Sequence, residues 1–413
     1  MILDLIALVC REYIHSWYGR ISPDRDRHFV QQVCAILVHL IQALEVRIAH
    51  LDWVELLVLD LPAVLERHVR DWDQAQDKAG TGHAHNYKVD EVFHLLQPHI
   101  AVATVEGTAG PGSEPSVDPT YLRAMVDNLL RLLLPPEDYR AETERTIVRE
   151  IVVNVIFASI YSKVAQPWFL HSTIVKILEA GEARRAPEVA RRRREASAAA
   201  KEPPLPITPQ LVRDKALSVL STIPKLFNAV TSSLSALYHT ATSAPVPPQY
   251  ANQPPLTTPI FNLIKTLLPS ASLIAQSLHY LQLPLTLLSS FTTALTFHLV
   301  NDKLVTATLA HTVLDTATRA LFPDGHSPPR APDPTPAEQD DWRRRCDAAV
   351  ARALPGPLVR ALVREGAGDR ALALARHLLR ALGSHVANVH LLVLVVDLVV
   401  GKLFPEMVVG RED

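Results

Sequence analysis

Cysteine is scarce in this chain of 413 residues: Cys10, Cys34 and Cys346, an odd number with no paired spacing. That argues against a disulfide framework and against a cysteine-based zinc site, and it suits a reducing compartment. Charge is thin as well. Charged residues make up 20% and the net charge is −2, so no global field draws the chain to nucleic acid or to an acidic membrane. Aromatics are 6% of the chain and do not interleave with basic residues, which argues against a nucleic-acid reader. Catalytic signatures are missing too. There is no Gly-x-Ser-x-Gly elbow, no Gly-x-Gly-x-x-Gly and no phosphate-binding P-loop, so neither an α/β-hydrolase lipase nor a nucleotide enzyme is expected. Residues 1–9 are apolar but carry Asp4 and lack the basic start of a signal peptide. No segment reads as a convincing membrane span; residues 386–400 are very apolar but short, and they carry Asp397. A soluble or peripheral protein is expected.

What the chain does have is apolar helical sequence. Residues 266–301 contain no Asp, Glu, Lys or Arg. Pro269, Pro284 and scattered Ser, Thr, Gln and His make that run a poor bilayer span. After Pro284 the spacing places Leu287, Leu288, Phe291, Leu295 and Leu299 on one face, with Thr286, Ser289, Ser290, Thr293 and Thr296 opposite. Such a helix is either a buried core element or the wall of a cavity that holds acyl chains.

Almost every periodic segment has the helix period, so the expected fold class is all-α, a multi-helix bundle. Helices are expected over 3–18, 26–50, 52–72 (kinked or broken at Pro62), 121–134, 143–162 and 167–179. The 26–50 helix shows the clearest stripe, through Phe29, Val33, Ile36, Leu37, Leu40, Leu44 and Ile48. Residues 73–86 and 103–118 read as loops. Residues 181–206 are basic, Ala-rich and then Pro-rich, an exposed, in part helical linker whose Arg191 to Arg194 run is a solvated face, an anionic-lipid contact or an import signal. Charge-poor helices rich in Ser and Thr follow over 207–321, and the last helices are expected over 341–354, 357–365, 370–382 and 385–404.

Candidate polar sites are few. His83-Ala84-His85 lacks a neighbouring carboxylate or Cys to complete a metal site, and no metal or cofactor is expected. His68 and Asp73 have the His-x-x-x-x-Asp spacing of some acyltransferases, a match that eighteen histidines make by chance. Asp397 lies in an apolar run where an unpartnered charge is costly. It needs a structural partner, an Arg or a helix N-terminus, unless it meets a lipid head group.

Two blocks resemble domains of the sorting nexins. Arg11-Glu12-Tyr13-Ile14 before Ser16-Trp17-Tyr18, then Leu61-Pro62, His68, Tyr121-Leu122-Arg123, Leu134-Pro135, Arg149-Glu150-Ile151 and Gln166-Pro167-Trp168-Phe169-Leu170 resemble the PX-associated (PXA) domain over roughly 1–180. Leu321-Phe322-Pro323-Asp324-Gly325, Leu354-Pro355, Asn388, His390-Leu391, Asp397 and Leu403-Phe404-Pro405-Glu406 resemble the sorting nexin C-terminal domain over 321–413. Family members usually carry a regulator-of-G-protein-signalling domain and a PX domain between these blocks. Here only the 181–206 linker and the charge-poor 207–320 segment separate them, as in the short fungal-type architecture, so phosphoinositide reading is not carried over.

The resemblance implies one helical unit around a large apolar cavity, and non-enzymatic binding and transfer of phospholipid or fatty acyl chains between membranes. It also implies a cytoplasmic protein peripherally associated with endoplasmic reticulum, endosomal or lipid-droplet membranes. The expected cavity lining is Ile151, Val155, Ile156 and Ile160 from one helix, Leu281, Leu285, Leu288, Phe291, Leu295 and Leu299 from a second, and Leu391, Val395 and Leu398 from a third. The alternative is a tether or scaffold with a filled interior.

Overall fold

Helices dominate the computed structural model, which describes residues 2–15, 18, 27–82, 85–103, 116–157, 160–199, 246–250, 255–269, 289–322, 333–356, 359 and 369–408. The only sheet among the described residues is a two-residue antiparallel pair, Val102–Ala103 against Ser116–Val117. The fold is all-α, as the helix period predicts.

Helix Arg27–Ala49 lies within one residue of its expected ends. Pro62 does not break the next helix. A wide π turn, Glu55–Asp60, leads into helix Leu61–Lys78, and Pro62 sits in its first turn, where the missing N–H costs nothing. This helix outruns its expected end at residue 72, because Trp72 and Ala75 share a face buried against Phe93. The chain then turns at Gly80, whose φ of +78° favours glycine. Helix Val89–Leu96, which the sequence reading left unassigned, begins where the Glu91 carboxylate accepts from the Lys88 N–H at 2.8 Å.

The N-terminal part of the expected linker, residues 181–199, is helical and, where described, largely exposed. Helix Pro167–Ala199 runs through them, with Pro187 inside it. Ala and Arg are good helix formers, and helix Pro336–Ala353 packs alongside through Val175, Cys346 and Ala349. The Thr335 N–H and hydroxyl both donate to Glu338, starting that helix at Pro336, within one residue of the polar start that the sequence suggests at Ala337. The expected helix over 357–365 lies largely outside the described residues.

Helix Ser289–His298 turns a different face inward from the one its apolar spacing suggests. Thr292, Thr293 and Phe297 are buried, whereas Leu299 is 49% exposed. Threonine tolerates this burial because its hydroxyl can bond within its own helix: Thr292 donates to the Ser289 carbonyl and Thr296 to the Thr292 carbonyl.

The C-terminal elements are built into the N-terminal helices. Leu122, Met125, Val126 and Leu130 of helix Pro119–Leu133 form the principal core with Val153, Tyr161, Val389 and Val393. The last two come from helix His385–Leu403, which also packs on helices Leu61–Lys78 and Val89–Leu96. Helix Thr258–Leu267 lies on helix Leu61–Lys78. Residues Val54, Val58, Tyr250, Leu256, Phe297 and Val300 form a separate cluster.

Candidate apolar binding groove

Helix Arg27–Ala49 is apolar on more than one side, and the fold covers it only in part. Ile36 and Leu40 lean on the principal core; Val33, Cys34, Leu37, Val38 and Ile41 lean on the N-terminal segment. Beyond Val30, no residue of the helix is fully buried. Val46 and Ile48 are exposed. Among the described residues, two helices are by length and composition apolar enough to cross a membrane, this one and His385–Leu403. The second has a buried face and a bonded carboxylate inside the body.

Between helix Arg27–Ala49 and helix Glu142–Ile151 lies a groove of about 290 Å³. Its apolar walls are Val33, Ala35 and Ile36 on one side and Ile147, Val148 and Ile151 on the other, with Ile14 and Pro135 completing them. Gln32, His39 and Asp138 are its polar members. His39 and Pro135 also border a shallower, open depression with Ala43, Val46, Leu132 and Glu406, so the trough continues along the same helix. The volume sits at the small end of the roughly 300–1,000 Å³ of ligand pockets. It suits a stretch of one apolar chain rather than a whole two-chain lipid.

Ile151 is the one expected lining residue that borders this groove. Val155 and Ile156 fall in the wide turn Val152–Phe157, and Ile160 is half-buried at the start of the turn Ile160–Val164. Leu281, Leu285 and Leu288 lie outside the described residues. Phe291 and Leu295 are half-buried on helix Ser289–His298, whose Phe297 belongs to the separate cluster. Leu391, Val395 and Leu398 are half-buried, while Leu392, Val396 and Val400 are the partly buried neighbours of the core. Packed core, Val153 with Val389 and Val393, joins the first and third of the three expected helices. The groove wall on helix Arg27–Ala49 was missed because its stripe reads as ordinary core; the signal was its apolar residues on several faces.

The polar candidates resolve into structure. Asp397 accepts from the Tyr121 hydroxyl at 2.6 Å and pairs with His99 at 3.0 Å, so its partner is neither an Arg nor a helix end. Burial, with the Asp397 carboxylate beside it, raises the Tyr121 phenol. Asp73 is held by Arg380 through two bonds of 2.6 and 2.7 Å, which separates it from any role with His68. His68 is buried, lies near Gln97 Oε1 at 3.4 Å, and is lowered by desolvation to about 4. His390 is fully buried; desolvation first, then the charges of His94, His68 and His99, lower it to about 3. Its Nε2 lies 3.1 Å from His94 Nδ1. Phe93 sits edge-on to His68, Trp72 and His390. Of the His83-Ala84-His85 pair, His83 lies outside the described residues, and His85 is exposed beside Asn86. Among the described residues, no three His, Cys, Asp or Glu side chains gather closely enough to hold a metal ion.

Residues 1–177 match the PXA domain family model. The chain is similar to PXA domain protein 1 of Schizosaccharomyces pombe, 28% identical over 156 residues, covering 38% of this chain and 29% of that protein. It is also similar to human sorting nexin-19, 23% identical over 175 residues (42% of this chain, 16% of the relative), and to human sorting nexin-13, 23% identical over 181 residues (42% and 18%). The chain thus spans less than a third of the length of these relatives. No solved structure matches it.

Proposed function

We propose that this chain, whose residues 1–177 form a PXA domain, is a non-enzymatic lipid-binding protein of membrane traffic. An acyl chain, from a phospholipid or a fatty acid, lies in the groove between helices Arg27–Ala49 and Glu142–Ile151. The observation that carries the reading is a long apolar helix whose residues beyond Val30 are nowhere fully buried, beside a groove with apolar walls. Each methylene withdrawn from water contributes about 0.8 kcal/mol, so a buried stretch of chain needs no catalytic group to favour binding. The similarity to sorting nexins supports action at membranes, which we place on the cytoplasmic side of endosomal, endoplasmic reticulum or lipid-droplet membranes. In its stronger form the proposal is transfer, with the groove accepting chains directly from a bilayer on which the Arg27–Ala49 helix rests. The similarity of residues 321–413 to a sorting nexin C-terminal domain belongs to the same proposal.

The second reading is a tether that binds no lipid inside. The filled core between Val153, Val389 and Val393 favours it. Displacement of a fluorescent fatty acid separates the two. The lipid-binding reading expects saturable uptake by the wild type, weakened at least tenfold in Ala35→Trp and Ile151→Trp, which fill the groove. Wild-type protein that takes up no probe and moves no lipid between liposomes refutes it.

A further inference from the structure

Two cysteines separated by 24 positions meet where the first two helical segments pack. Cys10 opens the wide turn Cys10–His15, and Cys34 lies about two turns into helix Arg27–Ala49. Their sulfurs are 3.1 Å apart, in hydrogen-bond contact. Both are free thiols, Cys10 buried and Cys34 half-buried. Ile6, Ile14, Val30, Val33 and Leu37 pack around them, so the contact sits on the face that holds the N-terminal helix in place. Cys346 is buried in a different cluster, with Val175 and Ala349.

We propose that Cys10 and Cys34 form a redox site, a dithiol that small-molecule disulfides such as oxidised glutathione convert into a reversible intramolecular disulfide. The link would staple the N-terminal helix to helix Arg27–Ala49. Bond formation needs the sulfurs to approach by about 1 Å, from their present contact to a covalent S–S length near 2.0 Å. Cys34, the more open of the two, is the point of entry. Its thiolate attacks one sulfur of oxidised glutathione, forming a Cys34–glutathione disulfide and releasing one glutathione thiolate. Cys10 then loses its proton to water, its sulfur attacks Cys34 Sγ, and the second glutathione leaves. The two protein thiols lose two electrons and two protons, and the small disulfide is reduced to two thiols. Burial, then the hydrogen bond and charge of Cys34, push the Cys10 thiol up to about 12. Cys10 is therefore a poor nucleophile on its own and depends on the proximity that the mixed disulfide supplies. Ile14 and Val33, which border the groove, flank this pair in sequence, so the staple would stiffen one wall of the groove.

The test uses the full chain with oxidised glutathione, alkylation of residual thiols, and tryptic peptide mass spectrometry. Trypsin cuts after Arg11, Arg27 and Arg47, so the two cysteines fall on separate peptides. The expected product is the Cys10–Cys34 linked pair, lost on reduction, with a melting temperature several degrees above the reduced protein. Cys10→Ser should leave glutathione stranded on Cys34, and Cys34→Ser should leave Cys10 unmodified. A wild-type protein that stops at the glutathione adduct, that stays fully reduced, or that links either cysteine to Cys346 overturns the proposal. The wild-type map decides the matter even where a variant folds poorly.

Discussion

Helix His385–Leu403 and helix Arg27–Ala49 are both apolar enough to cross a bilayer by composition, yet the fold treats them in opposite ways. The C-terminal helix is inserted among the N-terminal helices, and several of its polar groups find partners there, although the buried His385 Nε2, Asn388 Oδ1 and His390 Nδ1 have none among the described residues. Asp397 meets Tyr121 and His99, the Asn388 amide donates to the Ala165 and Leu382 carbonyls, and Lys402 reaches Glu55 at 2.8 Å and Asp60 at 2.7 Å. Burial works against the Lys402 charge, but those carboxylates outweigh it and raise its pKa. Ser384 donates to Asp90 at 2.7 Å, and Arg380 grips Asp73. Among its described residues, the Arg27–Ala49 helix has fewer such contacts, the Cys10–Cys34 pair being one. Its polar anchoring lies near its C-terminal end, where Arg47 pairs with Glu406, donates to the Leu403 carbonyl and lies over the Phe404 ring. Arg47 holds the Glu406 carboxyl below its usual range. The closed seam is thus joined by side-chain pairs distant in sequence, whereas the groove leaves mostly apolar surface open.

The largest expected loss in stability is at the closed seam. Phe93 has no exposure and touches three rings, so Phe93→Ala should cost about 3–5 kcal/mol, read by urea denaturation. A loss under 1 kcal/mol would mean that the ring cluster does not hold the two halves together.

Acid should open the same seam. His68 and His390 are held neutral by burial, at about 4 and about 3, while in the unfolded chain they take up protons near pH 6.5. Below that pH the unfolded state binds more protons, so stability falls as pH drops from about 6.5 toward 4, by a few kcal/mol. His94, lowered by desolvation and 3.1 Å from His390, adds to the same direction. Denaturant midpoints across pH 7 to 4 check this, and His68→Gln should flatten the slope.

A smaller effect is expected from Arg380→Ala. It leaves Asp73 without its bidentate hydrogen-bonded partner, but Asp73 is 36% exposed and water takes up part of the deficit, so the cost should be about 2 kcal/mol. Least of all, Ala35→Trp and Ile151→Trp in the groove should change stability by roughly 0.5 kcal/mol or less while weakening acyl binding at least tenfold. A groove substitution as destabilising as Phe93→Ala would mean that this region is core.

The contrast between the two regions also explains what could be read from sequence. Stripes such as Val33, Ile36, Leu37 and Leu40 place helix Arg27–Ala49 almost to the residue, because helical period is a local property. Helix Val89–Leu96 is too short to show it, although it carries Phe93. Burial of Thr292 was illegible because a hydroxyl bonded within its own helix looks polar only on paper. The partners of Asp397 were illegible for another reason: Tyr121 lies 276 positions away, and nothing local marks such a meeting. The same holds for Cys10 and Cys34. The groove was half legible, through Ile151 but not through the opposite wall.

The most direct measurement is native mass spectrometry of the purified chain after exposure to phospholipid vesicles, with wild type and Ile151→Trp side by side. The account predicts a single acyl-lipid adduct on the wild type that is lost from the variant. A wild type that flies bare under conditions that preserve known lipid complexes, or an adduct unchanged by Ile151→Trp, would contradict it.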